Sequence, residues 1–271
     1  MTALRLGTRG SALALAQARS VAALLGQPCE LVEITTAGDV DRARGDKSRW
    51  VGALEAALLA GEIDLAVHSA KDVPGELAAG TVIAATPLRA SPWDVMVGSG
   101  SRIGTSALRR RAQLLAAWPD VEVVELRGNV DTRLRKLAAG EVDALVLAAA
   151  GLARLGRTDV IGTPLDGDVF VPAPGQGALL VQAREGTLCP AADDPATHAA
   201  LQAEREVAAR LDASCHTAVG VLSAGPRMRG FVGLPDGSEW LVDEASDPIA
   251  LADRMLAAGA ADLLARAAAT A

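Results

Sequence analysis

The chain has 271 residues, half of them hydrophobic and 22% charged, a balance that supports two or three compact domains and excludes both a small disulfide scaffold and a disordered chain. A net charge of −7 and an aromatic content of 2% with no Tyr argue against a protein built to neutralise nucleic-acid phosphates or to stack bases. Cys29, Cys189 and Cys215 form no C-x-x-C pair, and the 3 histidines show no H-x-x-x-H spacing, so neither a disulfide framework nor a metal site is expected. Arg5 and Arg9 break the N-terminal apolar stretch and Gln17 and Arg19 the run that follows, so no signal peptide is read there. With no long uncharged apolar run either, a cytoplasmic protein with no membrane contact is expected.

Over the first two thirds, short apolar β-branched runs alternate with Ala/Leu-rich helical stretches, the pattern of a parallel-sheet α/β architecture. Strands are predicted at 3–8, 29–36, 63–68, 81–86, 94–97, 102–105, 121–126 and 143–149, and helices at 11–25, 50–60, 107–117, 130–139 and 148–155. Ser11 stands where it can cap the first helix, and Ser91-Pro92 interrupts the alternation where a linker would lie. V-P-A-P-G-Q-G (171–177) is a second interruption, its isolated G-Q-G read as backbone geometry. Beyond position 190 the texture changes to a helix over 195–212, two strand-like stretches meeting at Pro235-Asp236-Gly237, and a helix over 247–268, which reads as a separate α+β module.

Charge is uneven along these segments. From Arg102 to Arg157 ten basic residues stand against six acidic, whereas from Glu185 onward six basic stand against thirteen acidic. In open parallel sheets ligands bind at the carboxyl ends of the strands, and five polar turns follow predicted strands: T-R-G-S (8–11), H-S-A-K-D-V-P (68–74), G-T-S-A-L-R-R (104–110), L-R-G-N-V-D-T-R-L (126–134) and G-L-A-R-L-G (151–156). Arg9, Arg109, Arg110, Arg127, Arg133 and Arg154, with Ser11, Thr105 and Ser106, could thus converge on one small molecule carrying several carboxylates or phosphates. No P-loop or G-x-G-x-x-G occurs, which disfavours a nucleotide. Lys71-Asp72 differs from the arginine turns: a carboxylate beside anion-binding groups asks for a cationic or N–H-bearing centre in the ligand, the alternative being a strand-end salt pair. His68 reads as a packed histidine. Cys215 is by default a buried small hydrophobe, although in the small-residue loop L-D-A-S-C-H-T-A-V-G it could serve as a nucleophile or attachment point, with His216 adjacent.

The ordered set T-R-G-S, D-L-A-V-H-S-A-K-D-V-P, G-T-S-A-L-R-R, L-R-G-N-V-D-T-R-L, A-A-A-G-L-A-R-L-G, V-P-A-P-G-Q-G-A-L and the loop around Cys215 closely resembles the porphobilinogen deaminase (hydroxymethylbilane synthase) family, from about residue 4 to about residue 223. The resemblance implies two α/β domains of the periplasmic-binding-protein type II kind flanking a cleft, plus a small C-terminal α+β domain. The corresponding division is 1–90 with 172–190, then 91–171, then 191–271. It also implies head-to-tail condensation of four porphobilinogen molecules with loss of ammonia, onto a dipyrromethane primer, followed by hydrolytic release of hydroxymethylbilane for tetrapyrrole and haem synthesis.

Carried over residue by residue, the resemblance makes Asp72 the catalytic carboxylate, stabilising the azafulvene cation left when ammonia departs, and Cys215 the thioether attachment of the cofactor. Arg9, Arg127 and Arg133 match residues at the reacting end of the chain, with Ser11 and Arg154 also toward the substrate. Lys71, Thr105, Ser106, Arg109, Arg110 and Arg127 match residues that hold the cofactor. The sequence departs from the family pattern in a short 39–50 stretch where a longer lid is common, with Trp50 for a usual Phe, in Ala107 for a serine, and in S-C-H-T-A for the usual G-C-Q-V-P. Porphobilinogen is the expected partner, without nucleic acid, and the chain is expected to be a monomer. The competing reading is a non-catalytic anion-binding protein on the same scaffold, which would need neither Lys71-Asp72 nor Cys215. An RNA-binding module using the basic 102–157 segment fails on the missing aromatics.

Overall fold

The computed structural model describes residues 3–36, 48–167, 169–214 and 217–269. The chain forms two compact units, Met1–Ala90 with Gly177–Gln202, and Ser91–Gln176 with Ala203–Ala271. The first unit begins with β1 (Leu4–Thr8), α1 (Ala12–Leu25), β2 (Cys29–Glu33), α2 (Ser48–Leu59), β3 (Leu65–Ser69) and β4 (Thr81–Ala85). The second continues with β5 (Asp94–Gly98), β6 (Arg102–Thr105), α3 (Leu108–Ala117), β7 (Glu122–Glu125), α4 (Val130–Ala138), β8 (Ala144–Ala148), α5 (Ala149–Arg154) and β9 (Thr163–Leu165). The chain then returns to the first unit as β10 (Leu179–Arg184), and α6 (Pro195–Arg210) leads to β11 (Val219–Ala224), β12 (Arg227–Gly233), β13 (Trp240–Ala245), α7 (Pro248–Ala257) and α8 (Ala260–Ala269).

The expected α/β class is present, and the two α/β sheets share one winding. The first has the order β2-β1-β3-β10-β4 and the second β7-β6-β8-β5-β9. In each, the first three strands are parallel, and a fourth runs antiparallel to both its neighbours. That antiparallel strand is supplied by a crossing of the chain: β5 opens the second unit on the way out, and β10 rejoins the first on the way back. Their direction matters for the site, because each begins where its neighbour among the three parallel strands ends. Leu179 lies opposite Ser69, the last residue of β3, and Asp94 opposite Ala148, the last of β8.

The apolar alternation read from the sequence is what these sheets bury. In the first unit Leu65 and Val67 pack with Leu6, Ala18 and Val21 on the α1 face, while Ala66 packs with Leu54, Leu58 and Ile63 on the α2 face. α1 begins at Ser11, whose hydroxyl accepts from the Ala14 N–H at 3.2 Å, and ends at Gly26, whose φ of 63° a side chain would oppose. In the second unit Val95, Leu145 and Leu147 face Leu126 and Leu152, and Ile103 and Val146 face Leu114.

The division implied by the resemblance set 191–271 apart as a third domain. In the structure β11-β12-β13 form a sheet of their own, and residues 203–271 group with 91–176 in one compact unit. The reason is a shared core: Ala218, Leu222 and Phe231 bury against Ala112, Val169 and Val171. Two further differences are local. The helix predicted over 247–268 is broken into α7 and α8 at Gly259, with φ of 102°, and β9 and β10 were not predicted.

Candidate functional site

In the first unit, β3 ends in a single 3-10 turn, Ala70–Asp72, closed by the Val73 N–H donating to the Ala70 carbonyl at 3.2 Å. Ala70 and Val73 are buried with Val51, Ala178, Leu180 and Leu201, and the Ala70 N–H donates to Ala178 O at 3.1 Å. Between these apolar anchors Lys71 and Asp72 are only half-buried. The turn is thus fixed from below and presents its charged pair outward, which suits a carboxylate meant to meet a ligand. Beneath it Gln17 of α1 donates to Ser69 Oγ at 2.8 Å, which accounts for a buried glutamine in an alanine-rich helix. Arg9 follows β1 at the same carboxyl end, with Ser11 beside it as the α1 cap. Its charge reaches His68, which is 6% exposed. Burial, with Arg9 adding to it against an opposing interaction with Gln182, lowers the His68 pKa to about 4 and keeps the imidazole neutral.

In the second unit the arginines divide into two kinds. Arg109 and Arg110, at 5% and 8% exposure, are engaged within the protein. Arg109 Nη2 donates to Asp94 Oδ2 at 2.7 Å, and its Nη1 donates to Gln113 Oε1 at 2.8 Å and Val171 O at 2.9 Å. Arg110 donates from Nε and Nη2 to Asp94 Oδ1 at 3.1 and 2.7 Å, and from Nη1 to Val146 O at 3.0 Å. Burial alone would raise the Asp94 pKa, but the charges of Arg110 and Arg109 outweigh it and hold the carboxyl below the usual carboxylate range. One anion is shared by two cations, so the buried triad keeps a net positive charge.

Arg133, Arg154 and Arg127 differ from that pair. Arg133 donates from Nε to Gly128 O at 2.8 Å and from Nη2 to Ser106 Oγ at 3.0 Å. Burial, joined by the like charge of Arg110, lowers its pKa to about 10, and burial also lowers that of Arg154. Arg127 is exposed and pairs with Glu125 at 2.6 Å, an arrangement worth little in water. Thr105 is buried with its hydroxyl accepting from the Ala107 N–H at 3.3 Å. α4 is capped by Asn129, accepting from the Thr132 N–H at 2.9 Å, which sets the first turn that carries Arg133.

Cys215 and His216 lie outside the described residues, as do positions 39–47 of the short stretch that stands where a longer lid is common. On either side of the cysteine, the Ser214 N–H donates to Thr217 Oγ1 at 2.9 Å and the Thr217 hydroxyl donates to Ser214 O at 3.0 Å. Among the described residues no group of three or more metal-ligating side chains assembles, and no helix is long and apolar enough to cross a membrane.

Two residues were missed by sequence reasoning, Asp94 and Gln176. Gln176 Nε2 donates to Asp94 Oδ1 at 2.9 Å and to Pro92 O at 2.7 Å, tying the G-Q-G turn to the arginine triad. Asp94 begins a strand, whereas the polar turns singled out in the sequence all follow strand ends. The antiparallel sense of β5 carries it to the carboxyl end of β8 nonetheless.

Comparison with known proteins supplies the family. The family model described as "Porphobilinogen deaminase, dipyromethane cofactor binding domain" matches residues 4–188. "Porphobilinogen deaminase 1" of Streptomyces coelicolor is 44% identical, over 97% of this chain and 97% of its own length. "Porphobilinogen deaminase" of Roseiflexus castenholzii is 44% identical over 97% and 98%, and that of Rubrobacter xylanophilus 45% identical over 96% and 95%. With matches of this extent on a chain of this winding, the protein belongs to the porphobilinogen deaminase family.

Proposed function

We propose that the chain is a transferase that condenses four porphobilinogen molecules head to tail, releasing ammonia at each joining and hydroxymethylbilane at the end, in the cytoplasm and as a monomer. The observation that carries this reading is the Lys71-Asp72 turn, a half-buried acid held on apolar anchors at a strand end otherwise furnished with cations. A protein that only bound anions would gain nothing from that carboxylate.

Each porphobilinogen bears an acetate and a propionate, and in this reading Arg9, Ser11, Arg127, Arg133 and Arg154 bind them. When the C–N bond of the protonated aminomethyl group breaks, ammonia leaves with the bonding pair and the positive charge spreads onto the pyrrole ring and its N–H. The Asp72 carboxylate accepts that N–H and stabilises the developing charge. Arg133, already desolvated beside Arg110, gains from an arriving carboxylate, because an opposite charge offsets the burial that lowers its pKa.

The described residues also fit a dipyrromethane cofactor, whose side chains are acidic. The Asp94-Arg109-Arg110 triad carries an uncompensated positive charge, and each guanidinium uses three of its five N–H hydrogens on the protein. Lys71, Asp72, Thr105, Ser106, Arg109, Arg110 and Arg127 would hold the group, and Cys215 would carry it through a thioether. When bound, it supplies the primer to which pyrrole units are joined.

Asp72→Ala tests the reading. The variant is expected to fold normally and to turn over at below about one percent of the parent rate. Higher retained activity would remove Asp72 from the chemistry.

A further inference from the structure

We infer that Asp94 is a positioning residue for this reaction, holding the Arg109 and Arg110 guanidiniums in the orientation that receives the acidic side chains of the cofactor. The inference rests on the porphobilinogen deaminase reading and extends it to a residue that the family motifs quoted above do not contain.

Three features of the geometry support it. The first is charge. A buried ion pair kept only for the fold is closest to neutral when one cation meets one anion, and desolvating an extra cation is costly. Here a second arginine is buried on the same carboxylate, and a third, Arg133, lies close enough for Arg110 to lower its pKa. The surplus is what an arriving carboxylate would neutralise. The second is saturation. Asp94 Oδ1 accepts from Arg110 Nε, Arg110 Nη2 and Gln176 Nε2, and Oδ2 from Arg109 Nη2, so the carboxylate is occupied by protein donors and acts through the arginines. The third is place. Register sets Asp94 opposite Ala148 at the carboxyl end of β8, the end of the sheet that also carries Thr105, Ser106 and Arg154.

The two oxygens hold the two guanidiniums separately, and Val146 O and Val171 O fix the other side of each. Asp94→Asn keeps the shape but turns one acceptor into a donor. An Nδ2–H would then face an arginine N–H, and one guanidinium must rotate away.

The test loads the full chain with its cofactor. Chain produced in cells starved of porphobilinogen is incubated with porphobilinogen at increasing concentration, and the fraction gaining the dipyrrole mass is followed by intact mass spectrometry, normalised to folded protein. For Asp94→Asn the half-saturating porphobilinogen concentration should rise by about tenfold or more while the limiting loading rate stays within about threefold. A purely structural role would lower the thermal midpoint and leave the half-saturating concentration of the folded fraction unchanged, and that result overturns the inference. If Asp94→Asn does not fold, Gln176→Leu decides. It removes one donor from Oδ1 without altering the triad's charge, and should raise the half-saturating concentration by about threefold. An unchanged value in that variant overturns the inference equally. Failure of the parent chain to take up any dipyrrole would instead contradict the functional reading beneath it.

Discussion

Acidification offers a quantitative test of the first unit, through His68. Its folded pKa is about 4 against an ordinary value of 6.5, with burial as the main cause, and its Nε2 has no hydrogen-bond partner. Because the folded value is depressed, the unfolded chain takes the proton first. The neutral ring's contribution is therefore fully present above about pH 6.5 and is lost as pH falls from there toward 4. Integrated between pH 7 and pH 5, that single titration costs the folded state about 2 kcal/mol. Hydrogen exchange of the β3 and β10 amides, corrected for intrinsic rate, reads the opening free energy of this sheet directly. His68→Gln replaces the ring with a neutral polar chain and should shrink the pH 7 to pH 5 loss by about 2 kcal/mol relative to the parent. An identical loss in both proteins would show that His68 is not the group responsible and that its surroundings are wetter or better paired than the structure has them.

Other consequences follow from the same contacts. Glu204 is fully buried, its carboxylate accepting from the Gly175 N–H at 2.7 Å and the Ser223 N–H at 2.8 Å. Glu204→Ala strands both donors, so a loss of about 3 kcal/mol and a thermal midpoint lower by about 8 °C are expected, and a shift under about 2 °C would contradict that account. Arg133→Gln relieves a desolvated cation beside Arg110. The thermal midpoint should hold or rise while the half-saturating porphobilinogen concentration in steady-state turnover increases by about tenfold, and unaltered saturation would remove Arg133 from substrate binding. Gly162→Ala would set a Cβ 1.9 Å from the Met96 carbonyl oxygen, so β9 must shift off β5, measurable as lost amide protection in β9 and unseen if the contact is relaxed.

Much of the architecture was legible because the β/α alternation is regular: β1, β3, β6 and β8, and the helices after β1, β6 and β8, begin and end within a few residues of their predicted limits. The turns after those strands were legible for the same reason, since a parallel sheet puts successive carboxyl ends on one side. Pairing was not. Arg109, Arg110 and Arg133 are the same residue type on neighbouring helices, yet two are engaged with Asp94 and one is held by Gly128 O and Ser106. The distinction depends on β5 running antiparallel to β8, which places Asp94 at the ligand end although it begins its strand. Nothing in local periodicity reports strand direction. β10 escaped notice for a related reason: its apolar run adjoins a Pro/Gly-rich turn and belongs to a sheet whose other strands lie more than ninety residues earlier. The Gln176 turn, read as backbone geometry, contributes its side chain as well, through bonds to Asp94 and Pro92.

The most direct test of the functional account is the intact mass of the full chain purified under reducing conditions, taken before and after incubation with porphobilinogen, with peptide mapping of any adduct. The account predicts a surplus equal to two linked pyrroles, placed on Cys215 and absent from Cys215→Ala. A chain that stays unmodified after incubation, or an adduct mapped to Cys29 or Cys189, would contradict it.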